Sequence, residues 1–322
     1  MSASPELSGS GWPIVARKEF ADHVRSTRFL VLFGLVALAG LAAVHAATGT
    51  IRDAAQQTSG GPSVFLFLFT LSKNRLPSFH EFLGFLGPLL GIAFGFDAIN
   101  SERSSRTLSR LVAQPVHRDE IVNGKFAAGM GAIGLAVGCV VCLVSGYGIV
   151  RLGLVPTAGD VARIVAYVVV LVAYIALWYG VALLASILAR RAATAALAAL
   201  ALWLVLTLFG GVISGAIADA VHPVGSAATS ADVLANARLD QRIHRISPDE
   251  LYQEATQVLL DPEARSTDVV TSPSRLDQAI PGELGLRESV SLASWQILVL
   301  LGGVAALFAA DYLIFMGQEV RA

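Results

Sequence analysis

Apolar and polar positions fall along this chain in long blocks. Five blocks free of Asp, Glu, Lys and Arg, at 29–51, 126–150, 164–189, 192–218 and 289–310, are each long enough for the roughly 20 residues of helix that cross a hydrocarbon core. A sixth block, 82–96, is shorter, but Glu81 and Asp97 can sit at the two interfaces, and it predicts a further span. The run 64–71 (VFLFLFTL) follows a Ser-Gly-Gly-Pro breaker and is too short to cross, so it predicts an interfacial or re-entrant piece. The expected fold is all-α: a polytopic membrane protein with six transmembrane helices, an N-terminal interfacial helix, a cytoplasmic coupling helix and a small helical external loop.

Charge sets the orientation. Lys and Arg resist translocation and collect on the cytoplasmic side of short loops. With six spans and the N-terminus inside, the cytoplasmic segments carry 12 of the 23 Lys and Arg: the four up to Arg28, the five from Arg103 to Lys125, Arg190, Arg191 and Arg321. The short external segments carry five, Arg52, Lys73, Arg75, Arg151 and Arg163. Both termini are therefore expected in the cytoplasm, in a multi-pass protein of the cell membrane. The segments divide as a cytoplasmic N-terminus (1–28), spans one to five (29–218) with a cytoplasmic segment at 97–125, an external loop (219–288), and the last span with its tail (289–322).

Composition agrees. Hydrophobic residues make up 55% and charged residues 15%, where soluble domains carry nearer a quarter charged. A net charge of -1 leaves no basic excess for a phosphate backbone, which excludes a nucleic-acid partner.

Outside the spans three stretches stand out. In 12–28, Trp12, Val15, Ala16, Phe20 and Val24 share one side of a helix while Arg17, Lys18 and Arg25 lie off it, the pattern of a helix at the bilayer interface. The acidic loop 219–288 predicts a helix over about 230–246 and another after Ser247-Pro248-Asp249-Glu250, read as a capping box with Pro in the first turn. The stripe Leu251, Tyr252, Ala255, Val258 and Leu259 then makes that loop a small cap, a candidate surface for an extracytoplasmic partner. The segment 97–125, DAINSERSSRTLSRLVAQPVHRDEIVNGK, reads as two short helices broken at Gln114-Pro115, with Arg103, Arg106 and Arg110 on one face and Leu108, Leu111 and Val112 on another. A positive loop needs the arginines but not that order. The order suits a docking element that passes force from a soluble partner to the spans.

In this stretch Glu102, Thr107, Leu108, Leu111, Pro115, Val116, Arg118, Ile121, Gly124 and Lys125 stand in the order found in one family. The chain resembles the membrane subunits of type-2 ABC exporters, including permeases of copper-enzyme (nitrous oxide reductase) maturation and Nat-type sodium exporters. Arg106 replaces the family's usual Gly, and Ser109 its frequent Glu. The resemblance implies a permease that pairs with a second permease copy or paralogue and with two cytoplasmic ABC ATPase subunits. It implies coupling contacts at Glu102, Arg103, Arg106, Thr107, Leu108, Leu111, Pro115, Arg118 and Lys125. ATP and Mg would bind in the partner ATPase. This chain would bind no cofactor and catalyse nothing itself; Gly124-Lys125 lacks the first Gly and the Ser/Thr of a Walker loop.

Other constellations carry weaker meaning. Cys139 and Cys142 at i, i+3 could hold a soft metal, but Ala127, Gly131, Gly134 and Gly138 make a small-residue face that Cys142 continues, which favours helix packing and no metal. Gly84, Gly87, Gly91 and Gly95 share one face of the second span around Pro88, read as packing or as a pathway lining. Val144 to Gly148 resembles a filter loop but lies inside a continuous apolar run. Glu81, Asp97 and Asp311 all fall near span ends, so the middle of the membrane is read as uncharged, favouring ATP over ion coupling. A self-contained channel or carrier, and a non-transporting anchor or mechanotransmission subunit, are the competing functions.

Overall fold

The computed structural model describes residues 11–57, 64–73, 76–104, 118–225, 228–263 and 284–317. Every regular element among them is helical. α1 (Trp12–Arg25) leads into α2 (Thr27–Gln57), and a 3-10 turn opens the short α3 (Phe67–Thr70). α4 (Phe79–Gly95) and α5 (Asn100–Ser104) precede α6 (Arg118–Tyr147) and α7 (Ala158–Leu188). α8 (Ala192–Leu208), α9 (Gly210–Val221), α10 (Ser230–His244), α11 (Pro248–Leu260), α12 (Leu286–Leu292) and α13 (Ser294–Gly317) complete the chain. Five helical stretches are long and apolar enough to span a membrane, or six if α8 and α9 form one bent span.

α7 is the axis of the bundle. Tyr167, Tyr174, Trp178 and Tyr179 along it are fully buried, and α4, α6, α11 and α13 pack around it. The glycines of α4 explain the closeness of α4 and α7: a Cβ on Gly91 would lie 2.5 Å from the Ile175 carbonyl oxygen, a separation no side chain tolerates. Pro88 inside α4 has no N–H to give the carbonyl of Gly84, four residues back. The Tyr174 hydroxyl supplies the missing donor at 3.1 Å, so the break in the helical ladder is met by the neighbouring span.

The bundle has two unlike ends. At the proximal end, the start of α2 meets the end of α4 through an Arg28–Asp97 ion pair, and the start of α6 meets α5 through a Lys125–Glu102 ion pair. The distal end holds α3, α10 and α11. Thr157 opens α7 there with a reciprocal capping box to Asp160.

Three sequence expectations change here. The apolar block 192–218 is not one straight helix: it bends by 50° between α8 and α9, at Phe209 before the Gly210-Gly211 pair, where backbone constraint is weakest. Ser247 does precede α11, but no capping box forms. Its hydroxyl donates to the Leu206 carbonyl at 3.4 Å, while Glu250 pairs with His244 at 3.4 Å. Finally, α11 is more than part of a cap. Leu251, Tyr252, Ala255, Val258 and Leu259 are buried against the spans. Tyr252 stacks on Tyr174 at 4.7 Å and donates its hydroxyl to the His80 carbonyl at 2.9 Å.

Buried polar groups hold that plug in place. Arg163, read in the sequence as a loop charge, is buried and donates to the carbonyls of Leu259 and Leu284 and to the Ser289 hydroxyl, clasping both ends of the loop to α7. The Glu254 carboxylate accepts from Gln241, Arg245 and Gln296 at 2.9 Å each, joining α10, α11 and α13.

Candidate coupling site

The proximal end gathers the residues that carry chemistry. α1 lies along the first turns of α6. Val15 sits on Gly124, where a Cβ would come within 2.6 Å of its Cγ1, and Phe20 sits on Gly131. The Gly11 N–H donates to the Glu120 carboxylate. Contacts that step from 11 against 120, to 15 against 124, to 20 against 131 mean that the helices run side by side in the same direction. Arg17, Lys18 and Arg25 are exposed on α1, and so is the Trp12 side chain, which the sequence grouped with the apolar positions.

Lys125 is the centre of the site. Its side chain is 4% exposed, and its ammonium lies 3.0 Å from Glu19 of α1 and 2.8 Å from Glu102 of α5. The two carboxylates are 16% and 12% exposed. A cation this buried is tolerable only when paired and hydrogen-bonded, and both acids satisfy it. Burial pushes the Glu19 carboxyl up, yet the charges and hydrogen bonds of Lys125 and Lys18 more than reverse this and hold it below its ordinary value. Burial keeps His23, on the same helix, below its ordinary value despite the attraction of Glu19. Its ring packs 5.3 Å from Phe94 of α4.

The surrounding backbone is fixed with equal care. The Tyr179 hydroxyl donates to the Lys125 carbonyl at 2.9 Å. Where α4 gives way to α5, the N–H groups of Ile99 and Asn100 donate to the fully buried Ser186 hydroxyl at 3.1 and 3.2 Å. Arg28, besides its pair with Asp97, lies 5.1 Å over the Phe96 ring. The two chain stems that flank 105–117 are thereby joined to each other and to α1, α2 and α7.

Arg106, Thr107, Leu108, Leu111 and Pro115 lie outside the described residues, and of Arg103 and Arg118 only the backbone is described. Gly84 faces Tyr252 and Gln253, Gly87 faces Ile175, and Gly91 and Gly95 face the α7 backbone, with Pro88 buried among them. A Cβ on Gly134 or Gly138 would meet open space, and Cys139 and Cys142 are exposed on the same helix, so the described residues of this chain do not supply the close packing expected at these positions. Among the described residues no group of three or more His, Cys, Asp or Glu is placed to hold a metal.

This architecture invites comparison with known proteins. The family described as ABC-2 family transporter protein matches residues 13–320. The chain belongs to the ABC-2 transporter family. It is an ABC transporter permease, an integral membrane transport component that is not itself catalytic, and family membership implies an ATPase subunit as partner. No curated protein matches the chain.

One pairing and one buried acid of this ABC-2 permease are not visible in the sequence. Glu19 is 106 positions from Lys125, and no local pattern pairs them. Asp311, read as a span-end acid, is fully buried in α13 with no hydrogen-bond partner for either oxygen among the described residues. The visible signal was an acid at the edge of a long apolar run, which in a membrane marks a functional candidate.

Proposed function

We propose that this permease works as an exporter, paired with a second permease copy or paralogue and driven by two cytoplasmic ATPase subunits that bind ATP and Mg. The proximal end then faces the cytoplasm, with both termini. The observation that carries the reading is the Glu19–Lys125–Glu102 cluster at the base of the segment that would dock on the ATPase.

A push on 105–117 reaches the membrane through its two stems. Because Glu102 and Lys125 are bonded to one another, the stems cannot separate without exposing buried charge, so α4 and α6 are driven as one body. Glu19 makes α1 ride with them, and Ser186 passes the displacement to α7. ATP-driven closure of the partner subunits would in this way shift the spans between inward- and outward-open states.

The experiment is purification in mild detergent with mass spectrometry of bound proteins and an ATPase assay. A stoichiometric ATPase subunit is expected, and reversing Arg103 and Arg106 together to Glu should leave the spans folded while uncoupling hydrolysis from transport. A lone protein that conducts solutes in liposomes would replace this reading with a channel or carrier. A complex that hydrolyses ATP yet moves nothing would point to a mechanotransmission subunit.

A further inference from the structure

The distal end holds a cavity of about 930 Å³ between α3, α4, α8 and α11. That is the size of a small-molecule pocket, which commonly spans about 300 to 1,000 Å³. α11 makes one wall. Its Tyr252 face is buried in the bundle, whereas Asp249, Gln253 and Gln257, spaced by four, look into the cavity. Phe67, Leu71 and Phe85 supply an apolar and aromatic wall opposite.

The charge of the lining is one-sided. Glu81, Asp249, Asp261 and Glu263 all line the cavity, no Lys or Arg is among its lining residues within the described chain, and its one imidazole, His80, is bonded to the Ser78 hydroxyl and the Phe69 carbonyl. The acids come from α4, from the start of α11 and from the turn after it. They are too dispersed to chelate an ion, since no group of three or more His, Cys, Asp or Glu among the described residues can hold a metal. Glu81 is engaged by the Ser78 N–H and hydroxyl at 2.7 and 2.8 Å, and Asp249 accepts from Tyr174 at 3.2 Å. Burial pushes the Asp249 carboxyl above its ordinary value, outweighing the opposing pull of its Tyr174 hydrogen bond and of His244.

We infer that this cavity is a binding site for an organic cation with an apolar or aromatic body. The charge would be balanced by several carboxylates at a distance, with the body against Phe67 and Phe85, where a cation over an aromatic face gains further attraction. A metal ion would need the acids closer, and an anion would be repelled by all four. The inference concerns binding by this chain alone and does not depend on the coupling scheme above.

The test uses the full chain in zwitterionic lipid nanodiscs and two probes of equal size and opposite charge, tetraphenylphosphonium and tetraphenylborate. Equilibrium dialysis against empty discs should show saturable one-to-one binding of the phosphonium and none of the borate. Gln257 is exposed at the cavity wall, so Gln257→Lys should keep the fold and weaken phosphonium binding by about tenfold. Glu263→Gln, at the exposed rim, should weaken it in the same direction and decides the matter if the lysine variant does not fold. Equal binding of the two probes would mark an apolar, lipid-accepting pocket and overturn the inference. So would the absence of saturable phosphonium binding, or unchanged affinity in the folded variants.

Discussion

The two ends of the bundle are held by different forces. At the distal end the ion pairs, Arg245 with Glu254 and His244 with Glu250, lie between α10 and α11, and the contacts that seat α11 and its flanks on α4 and α7 are short-ranged: stacked Tyr174 and Tyr252, hydroxyls on the His80 and Gly84 carbonyls, and Arg163 spread over two carbonyls and a hydroxyl. Such contacts are lost within about an ångström of movement. At the proximal end, Lys125 sits between two carboxylates from different helices and Arg28 beside a third. Coulomb attraction falls off only as the inverse of distance, so it keeps helices together while they shift. Packing suits a plug that stays put, and ion pairs would suit a base that is pushed as proposed.

The sharpest break of this contrast is Lys125→Met. It removes the buried ammonium that Glu19 and Glu102 share, and a loss of about 3 to 5 kcal/mol is expected, read as a lowered thermal midpoint in detergent. Tyr252→Ala attacks the distal end. It removes a fully buried ring, its stacking partner and its bond to His80, and about 3 kcal/mol should follow. Gly91→Ala tests the spine that joins the ends: the new methyl must push α4 off the Ile175 carbonyl, at a cost of about 2 kcal/mol in the same assay. Tyr174→Phe is expected to cost about 1 kcal/mol, because the Gly84 carbonyl loses the donor that Pro88 cannot supply.

The smallest effect is a matter of pH and separates the ends by sign. Glu19 is held below its ordinary value by Lys125 and Lys18, so its contribution is fully present above the ordinary glutamate range and is lost as pH falls through its lowered value. Asp249 is raised by burial, so the folded state binds its proton more tightly than the unfolded chain does. Its contribution therefore declines as pH rises from the ordinary aspartate value through the raised one. Acidification should loosen α1 before α11, and amide exchange of the two helices across that range would show it.

Much of the fold is legible in the sequence because uncharged runs of about 20 residues have few alternatives to spanning a membrane. The helices α10 and α11 are also readable, from apolar positions at helical spacing. What covers an apolar stripe is not: Leu251, Tyr252 and Val258 look the same on a surface cap as on a plug sunk between spans. The bend at Phe209 is hidden for a related reason, since an uncharged run conceals a change of direction unless Gly210-Gly211 is weighed as a hinge. At the candidate site, the order of residues in 97–125 singles out Glu102 and Lys125, but the pairing of Lys125 with Glu19 enters only through folding. Pairing across more than a hundred residues has no local signature.

In the proposed mechanism the Lys125 cluster transmits nucleotide-driven movement from the docking segment to the spans. This can be tested with spin labels at Leu38 and Leu301, both exposed on their helices, in a chain whose exposed Cys139 and Cys142 are replaced by serine. In the complex with its ATPase, ATP with vanadate should change the distance between the labels, and Lys125→Gln should abolish that change while hydrolysis continues. A Lys125→Gln complex whose labels move as in the wild type would show that the cluster does not carry the movement.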